Sequence, residues 1–176
     1  MIHTHVMTET PVGPLTLQAD STGLCRLDFG LRATPTGQPP ATAILQTCVE
    51  QLEAYFAGRL HHFDLPLNPV GTPFQGEVWT ALQQIPYGQV RSYGDIARAI
   101  DRPQAFRAVG MANNRNPISI IIPCHRVVGS NGEMTGYGGG LEIKVRLLTL
   151  EQVPLIQANV LEQCRVQLLQ PSEVTP

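Results

Sequence analysis

The sequence predicts an α+β protein: a small N-terminal antiparallel sheet with one helix, then a mainly helical part that carries a helix-turn-helix. Three observations predict it. Short apolar clusters separated by turn formers fill the first thirty residues, as in strands joined by tight turns. Helical spacing of apolar residues takes over from Ala41. Capping signals then recur beyond residue 70. At 176 residues, 43% of them hydrophobic, the chain has the size of one domain with room for a small second one, and ample material for a core.

The strands are expected at Ile2–Met7, Leu15–Leu17 and Leu24–Phe29, with turns at Pro11-Val12-Gly13-Pro14 and Ser21-Thr22-Gly23. Residues 33–40 read as a Pro/Gly/Thr loop. Ile44, Leu45, Cys48, Leu52, Tyr55 and Phe56 recur at helical spacing, and Gly58 stops that helix. A short strand at His62–Leu65 and a turn at Asn68-Pro69-Val70-Gly71 follow, and the turn is the expected boundary between residues 1–70 and 71–152. Thr72-Pro73-Phe74-Gln75 opens the next helix with an N-cap, a proline at the first position and a glutamine placed to close a capping box. Ser92 is placed to cap a short helix holding Ile96, Ala97 and Ile100. Asp101-Arg102-Pro103 turns the chain into a third helix, Gln104–Asn113. Two short helices so joined form a helix-turn-helix pattern. Residues 118–122 are expected as an apolar strand and Gly139–Gln152 as a last helix. Residues 153–176 hold an amphipathic stretch, Leu155–Leu169, expected to pack on the surface.

Net charge is −2, which argues against a chain that coats nucleic acid without specificity. Its distribution is uneven. Residues 1–70 hold three arginines against six carboxylates, and residues 71–151 seven arginines and one lysine against six carboxylates. The cationic balance thus sits in the second part, consistent with moderate, salt-sensitive affinity for a polyanion. No apolar run is long enough to span a bilayer and no signal-peptide pattern opens the chain, so no membrane is expected as a partner and residence in the cytoplasm is. The four cysteines follow no zinc or CxxC spacing and read as reduced thiols. His3, His5, Cys25, His61 and His62 could be imagined as metal ligands, but a surface histidine pair and a buried cysteine is the favoured reading.

The strongest chemical signal is Ile120-Ile121-Ile122-Pro123-Cys124-His125-Arg126-Val127-Val128. A thiol is a strong nucleophile as its thiolate and needs a base or cation to become one. Neighbours in sequence usually point apart, so His125 would reach Cys124 through a water or a bend in the backbone. Around this pair stand Ile85-Pro86-Tyr87-Gly88, Arg91-Ser92-Tyr93, Arg107-Ala108-Val109-Gly110, Asn116-Pro117, Tyr137-Gly138-Gly139-Gly140-Leu141 and Glu151.

In order and spacing these motifs resemble the O6-alkylguanine-DNA alkyltransferases, most closely over Pro73–Glu151 and more loosely from Met1. The resemblance implies a winged-helix-like DNA-binding element and double-stranded DNA carrying O6-alkylguanine as partner. It also implies one irreversible transfer per molecule, with no cofactor, no metal in the reaction, and a monomer without an obligate protein partner. It makes Cys124 the nucleophile and His125 the base acting through a water. Glu151 would orient the ring, and Asn116 would brace the glutamate and the turn. Tyr93 would protonate guanine N3 and help to rotate the nucleotide out, and Arg107 would fill the gap left in the stack. Ser92, Ala105, Phe106, Ala108 and Gly110 would face DNA near the finger. Val127, Ser119, Tyr137, Gly138 and Gly139 would line the base pocket, with the Val127 carbonyl accepting from the exocyclic amine. The small Ser119 implies tolerance of bulkier adducts. Phe106 departs from the small residue common in relatives. Phe106 therefore either turns into the core or wedges at the DNA backbone; because helix neighbours diverge by about 100° and Arg107 must face DNA, the core is the favoured of the two. Two other classes stay open on residues alone: a helix-turn-helix regulator that only binds DNA, and a cysteine hydrolase, which would leave the helix-turn-helix unexplained.

Overall fold

Strands β1 (His3–Met7), β2 (Leu15–Ala19) and β3 (Leu24–Phe29) form an antiparallel sheet in chain order in the computed structural model, which describes residues 1–156 and 165–166. Leu17 sits between His5 and Leu27 in the register. Leu15, Leu17 and Ala19 on one face of β2 are apolar and buried, while Thr16 on the other face is buried too, its hydroxyl donating to the Gly30 carbonyl at 2.8 Å. Helix α1 (Ala43–Phe56) buries Leu45, Cys48, Leu52 and Tyr55. Its N-cap Thr42 accepts from the Leu45 amide, and Gly58 at φ 68° lets the chain leave it. The strand expected at His62–Leu65 does not form. Leu24 pairs in an isolated bridge with Leu67 instead, so the segment runs to the sheet edge through bends.

Helix α2 (Pro73–Gln83) starts with the expected capping box, Thr72 and Gln75 each bonding the other's backbone. Strand β4 (Arg91–Ser92) leads directly into α3 (Tyr93–Ala99), whose N-cap Ser92 makes a second capping box with Asp95. Asp101 turns the chain at φ 56° into α4 (Phe106–Asn114), two residues later than expected and without a side-chain cap. Helix α4 packs through Val109, Ala112 and Asn113, and the Trp79 indole N–H ties α2 to it by donating to the Ala112 carbonyl at 3.0 Å.

The apolar run at 118–122 is buried but is not a strand. Ile118 bridges Leu27, Ile122 N–H then bonds the Ile118 carbonyl, and Ile120 sits at φ 70°. A short apolar run does not distinguish a buried strand from a buried turn, and a β-branched residue in the left-handed region is a true outlier. The turn delivers the chain into a single 3₁₀ turn, Cys124–Arg126, and then β5 (Val127–Val128), which pairs parallel with β4. Helix α5 (Leu141–Leu150) is shorter than expected at both ends. Strands β6 (Leu155–Ile156) and β7 (Arg165–Val166) pair antiparallel. The amphipathic packing expected of the rest of the tail lies outside the described residues. One apolar core runs from Leu15 and Leu27 of the sheet through Trp79 and Ile118 to Leu147. No helix among the described residues is long and apolar enough to cross a membrane.

Candidate active site

The sheet and the catalytic turn share backbone hydrogen bonds. Leu27 N–H donates to the Pro117 carbonyl at 2.9 Å, and Ser119 N–H to the Leu27 carbonyl at 3.3 Å. This fixes Asn116 and the strained turn that presents Cys124. Asn116 Nδ2 donates to the Ile122 carbonyl at 2.8 Å and to Cys124 Sγ at 3.0 Å. It therefore braces the turn and the sulfur but makes no bond to Glu151, contrary to the expectation for it. The reason is position: it stands at the end of α4, on the sulfur's side of the turn.

Glu151, the residue at the C-terminal end of α5, is held from three other parts of the chain. Its Oε1 accepts from Tyr55 OH at 2.7 Å, Arg126 Nη2 at 2.9 Å and His125 Nε2 at 2.8 Å, and its Oε2 from Arg126 Nε at 2.8 Å. The Gly88 amide adds a longer bond of 3.4 Å. Ile85-Pro86-Tyr87-Gly88 thereby gains a physical account. The Ile85 carbonyl takes Arg126 Nη1, Tyr87 OH holds the Leu150 carbonyl, and Gly88 turns at φ 76° against the Glu151 backbone. Burial alone would raise the Glu151 carboxyl, but His125 and Arg126 outweigh it and hold the group well below the usual carboxylate range.

A carboxylate facing His125 Nε2 fixes the tautomer: Nε2 carries the proton and Nδ1 is the basic atom. Nδ1 is buried and has no partner. Burial lowers the His125 pKa despite the pull of Glu151. Burial raises that of the Cys124 thiol, against Asn116, the Lys144 charge and Tyr137. Near neutral pH the resting pair is thus a thiol beside a neutral imidazole, with the glutamate ready to stabilise an imidazolium.

Lys144 is fully buried on α5. Its Nζ donates to the Val127 carbonyl at 2.6 Å and to the Thr135 carbonyl at 3.4 Å, and burial takes its pKa down to about 8. The Val127 carbonyl, expected to receive a base amine, already holds this ammonium. Tyr93 OH shares a hydrogen with Thr135 Oγ1 at 2.8 Å, and burial raises its pKa. A cavity of about 410 Å³ opens beside Cys124, lined among others by Asn113, Asn116, Ser119, Tyr137 and Gly138 and by Arg26, Phe29 and Arg32 of the first segment. Gly139 packs closely against the first segment. A Cβ there would lie 2.6 Å from the Phe29 ring, which also packs edge-on against Tyr137 with centroids 5.7 Å apart.

Sequence reading missed Tyr55, Arg126, Lys144, Phe29 and the two N-terminal arginines. Only Arg126 carried a signal, its place directly after Cys124-His125. The others arrive by tertiary contact.

On α4 the exposed residues include Phe106, Arg107, Ala108 and Met111, with Ala105 and Gly110 half-buried. Phe106 is 45% exposed and Met111 59%, so the core position expected for Phe106 is wrong. With Val109, Ala112 and Asn113 inward, a step of about 100° from Arg107 leaves Phe106 at the rim of the outer face. The Arg107 guanidinium lies 5.9 Å from its ring centroid. Ser92 is buried, its hydroxyl bonded to Asp95.

The chain has relatives over more than four-fifths of its length. Residues 73–153 match the model of the 6-O-methylguanine DNA methyltransferase, DNA binding domain, and residues 3–69 that of the 6-O-methylguanine DNA methyltransferase, ribonuclease-like domain. A methylated-DNA–protein-cysteine methyltransferase of Methanosarcina barkeri is 53% identical over 149 residues, 82% of this chain and 94% of that protein. One of Mycobacterium tuberculosis is 49% identical over 155 residues, 86% and 93%. The crystal structure of the Mycobacterium tuberculosis OGT in complex with DNA superposes with a TM-score of 0.77 at 49% identity, covering 85% of this chain and 92% of that one. By sequence, fold and the Pro-Cys-His-Arg turn, the chain belongs to the O6-methylguanine-DNA methyltransferase family.

Proposed function

We propose that the protein repairs alkylated DNA by moving the alkyl group of O6-alkylguanine onto its own Cys124, once per molecule. The observation that carries this is the buried thiol–imidazole–carboxylate set, whose thiol opens on a cavity large enough for a purine and whose turn directly follows an exposed helix in the chain. Sγ attacks the alkyl carbon in line, the carbon–O6 bond breaks as the carbon–sulfur bond forms, and the thiol proton passes through a water to His125 Nδ1. Glu151 stabilises the resulting imidazolium. Guanine leaves as an anion and takes a proton at N3 from Tyr93. A raised hydroxyl pKa keeps Tyr93 protonated until that anion forms. The product is a thioether that no ordinary protein group cleaves, so no turnover follows and no cofactor is needed.

The base must leave the duplex to reach a buried sulfur, at a cost of a few kcal/mol. Helix α4 docks in the minor groove and Arg107 fills the vacated stack, with Ala105, Phe106, Ala108 and Gly110 beside it. Val127, Ser119, Tyr137, Gly138 and Gly139 enclose the extruded base, and Ser119 leaves room for adducts larger than methyl. Residues 1–70 support the site from behind, residues 71–152 perform transfer and DNA binding, and the monomer acts on double-stranded DNA in the cytoplasm. The test is the intact mass of the protein after incubation with duplex DNA containing O6-methylguanine. A single methyl on Cys124 at a 1:1 ratio is expected. An unmodified protein that still binds the duplex would make it a binding protein, and continued turnover would make it a hydrolase.

A further inference from the structure

Tyr55 lies at the end of α1, 96 residues from the carboxylate that it touches. Its side chain and that of Glu151 are both almost wholly buried, at 0% and 1% exposure. The Tyr55 ring is fixed by Phe56, Phe63 and Tyr87, with centroids 5.5, 5.3 and 6.2 Å away. These rings hold it without help from its hydroxyl. The hydroxyl donates to Oε1, the same oxygen that receives His125 Nε2 and Arg126 Nη2. One carboxylate oxygen is thus divided among three donors, and each donor draws on the charge available to the others.

From this sharing we infer that Tyr55 is a positioning residue for the transfer reaction, which sets how strongly Glu151 supports a protonated His125. The inference rests on the proposed role of His125 as the base. A hydroxyl donated to Oε1 stabilises the carboxylate and weakens it as an acceptor for the imidazole. Without it, Glu151 holds the imidazolium more tightly, and His125 keeps its proton to higher pH. The charged groups that act on His125 are Glu151 and Lys144 from α5 and Arg126 from its own turn, and Tyr55 from α1 reaches it only through Glu151. Tyr87 and Tyr137 face the Glu151 side of the network. Tyr55→Phe changes only one of them. The first segment of the chain, which holds neither the reacting thiol nor its base, would then tune the chemistry directly.

The experiment measures the rate of Cys124 alkylation by free O6-benzylguanine against pH, so that DNA binding does not enter. In Tyr55→Phe the acid limb should move up by about one pH unit, the scale of one lost charge-assisted hydrogen bond, while the high-pH plateau stays within about two-fold. A 3-fluorotyrosine at position 55, a stronger donor of nearly the same shape, should move the limb down. An unmoved limb in both proteins, or an equal loss at every pH as a merely structural role predicts, overturns the inference. Glu151→Gln separates this from the reading beneath it, because a neutral partner weakens the base and should move the limb down. If Glu151→Gln moves the limb and Tyr55→Phe does not, the role of Tyr55 alone falls. If neither moves it, the role of His125 as base falls too.

Discussion

The catalytic turn and the outer face of α4 lie at the two ends of one segment, Phe106 to Arg126, and are built in opposite ways. At the turn, Glu151, Arg126, Asn116 and Lys144 are tied to named partners, and the buried side-chain atoms left over among the described residues, Asn113 Oδ1, His125 Nδ1 and Tyr137 OH, are gathered there too. On α4, Phe106 and Met111 stand in solvent around Arg107, and among the described residues no ion pair involves that arginine. An enclosed, bonded site holds geometry for chemistry without reorganising. An open, weakly held face keeps its binding capacity for something outside the molecule. Substitutions in the two regions should therefore separate: the first should change the reaction with any alkyl donor, the second the reaction with duplex DNA only.

The largest expected effect is at the turn. Cys124→Ser should abolish methyl transfer to the protein, read by intact mass, and leave duplex affinity within about a few-fold, since α4 is untouched. Any methyl gained by the variant would contradict the nucleophile assignment. Next is Arg107→Ala on the open face. Losing a group that offsets base extrusion, worth a few kcal/mol, should slow repair of duplex O6-methylguanine by roughly one hundred-fold. The reaction with free O6-benzylguanine should be nearly unchanged. Equal losses on both donors would place Arg107 in the fold or pocket and dissolve the contrast.

Acidification probes the turn alone. His125 has a folded pKa below its unfolded value near 6.5, so below that pH the unfolded chain binds a proton that the folded one does not, and stability falls. Glu151, also depressed, adds a second loss as pH drops through the unfolded carboxylate value near 4.3. Thermal unfolding across pH 3–8 should show wild type losing stability from about pH 6.5 downward. In Glu151→Gln the lower of the two losses should be smaller. A flat profile above pH 5 would contradict the direction given for His125.

Lys144→Met sharpens the comparison further, because it removes both a buried charge and the donor that satisfies the Val127 and Thr135 carbonyls. It should lower the unfolding free energy by about 1–3 kcal/mol and slow alkylation several-fold, as the positive charge that favours the thiolate is lost. A variant as stable and as active as wild type would reverse that account. The smallest effect belongs to Phe106→Ala. A half-exposed side chain should cost no more than about 0.5 kcal/mol in stability, while duplex affinity should fall several-fold as apolar contact with the groove is lost. A large fall in melting temperature with unchanged affinity would return Phe106 to the core.

How far the sequence was legible follows the same division. Local chemistry was readable: the capping boxes at Thr72 and Ser92, the stop at Gly58 and the three N-terminal strands all lie where residue type and spacing put them. The run at 118–122 was misread because buried strands and buried turns share a composition, and only the bridge to Leu27 and the φ of Ile120 tell them apart. Phe106 was misread because a single step around a helix is a quarter-turn rather than a half-turn. In the site, Cys124, His125, Asn116 and Glu151 stand together in motifs that the sequence displays. Tyr55, Lys144 and Phe29 carry no local mark, since their positions come from helix packing and a sheet edge.

The Glu151 carboxylate brings together residues 55, 88, 125 and 126, and that has a consequence for when the thiol is usable. Synthesis delivers Cys124 and His125 before Glu151 exists in the chain, and until α1 and α5 close over the turn, nothing organises the histidine. A nascent or half-assembled chain therefore carries an ordinary exposed thiol, with no base to assist it and no cavity around it. For a molecule that can be used once, completion of the fold does two things together: burial takes the sulfur out of reach of stray reagents and raises its pKa, and the closing of α1 and α5 supplies the base that restores its reactivity toward a chosen target.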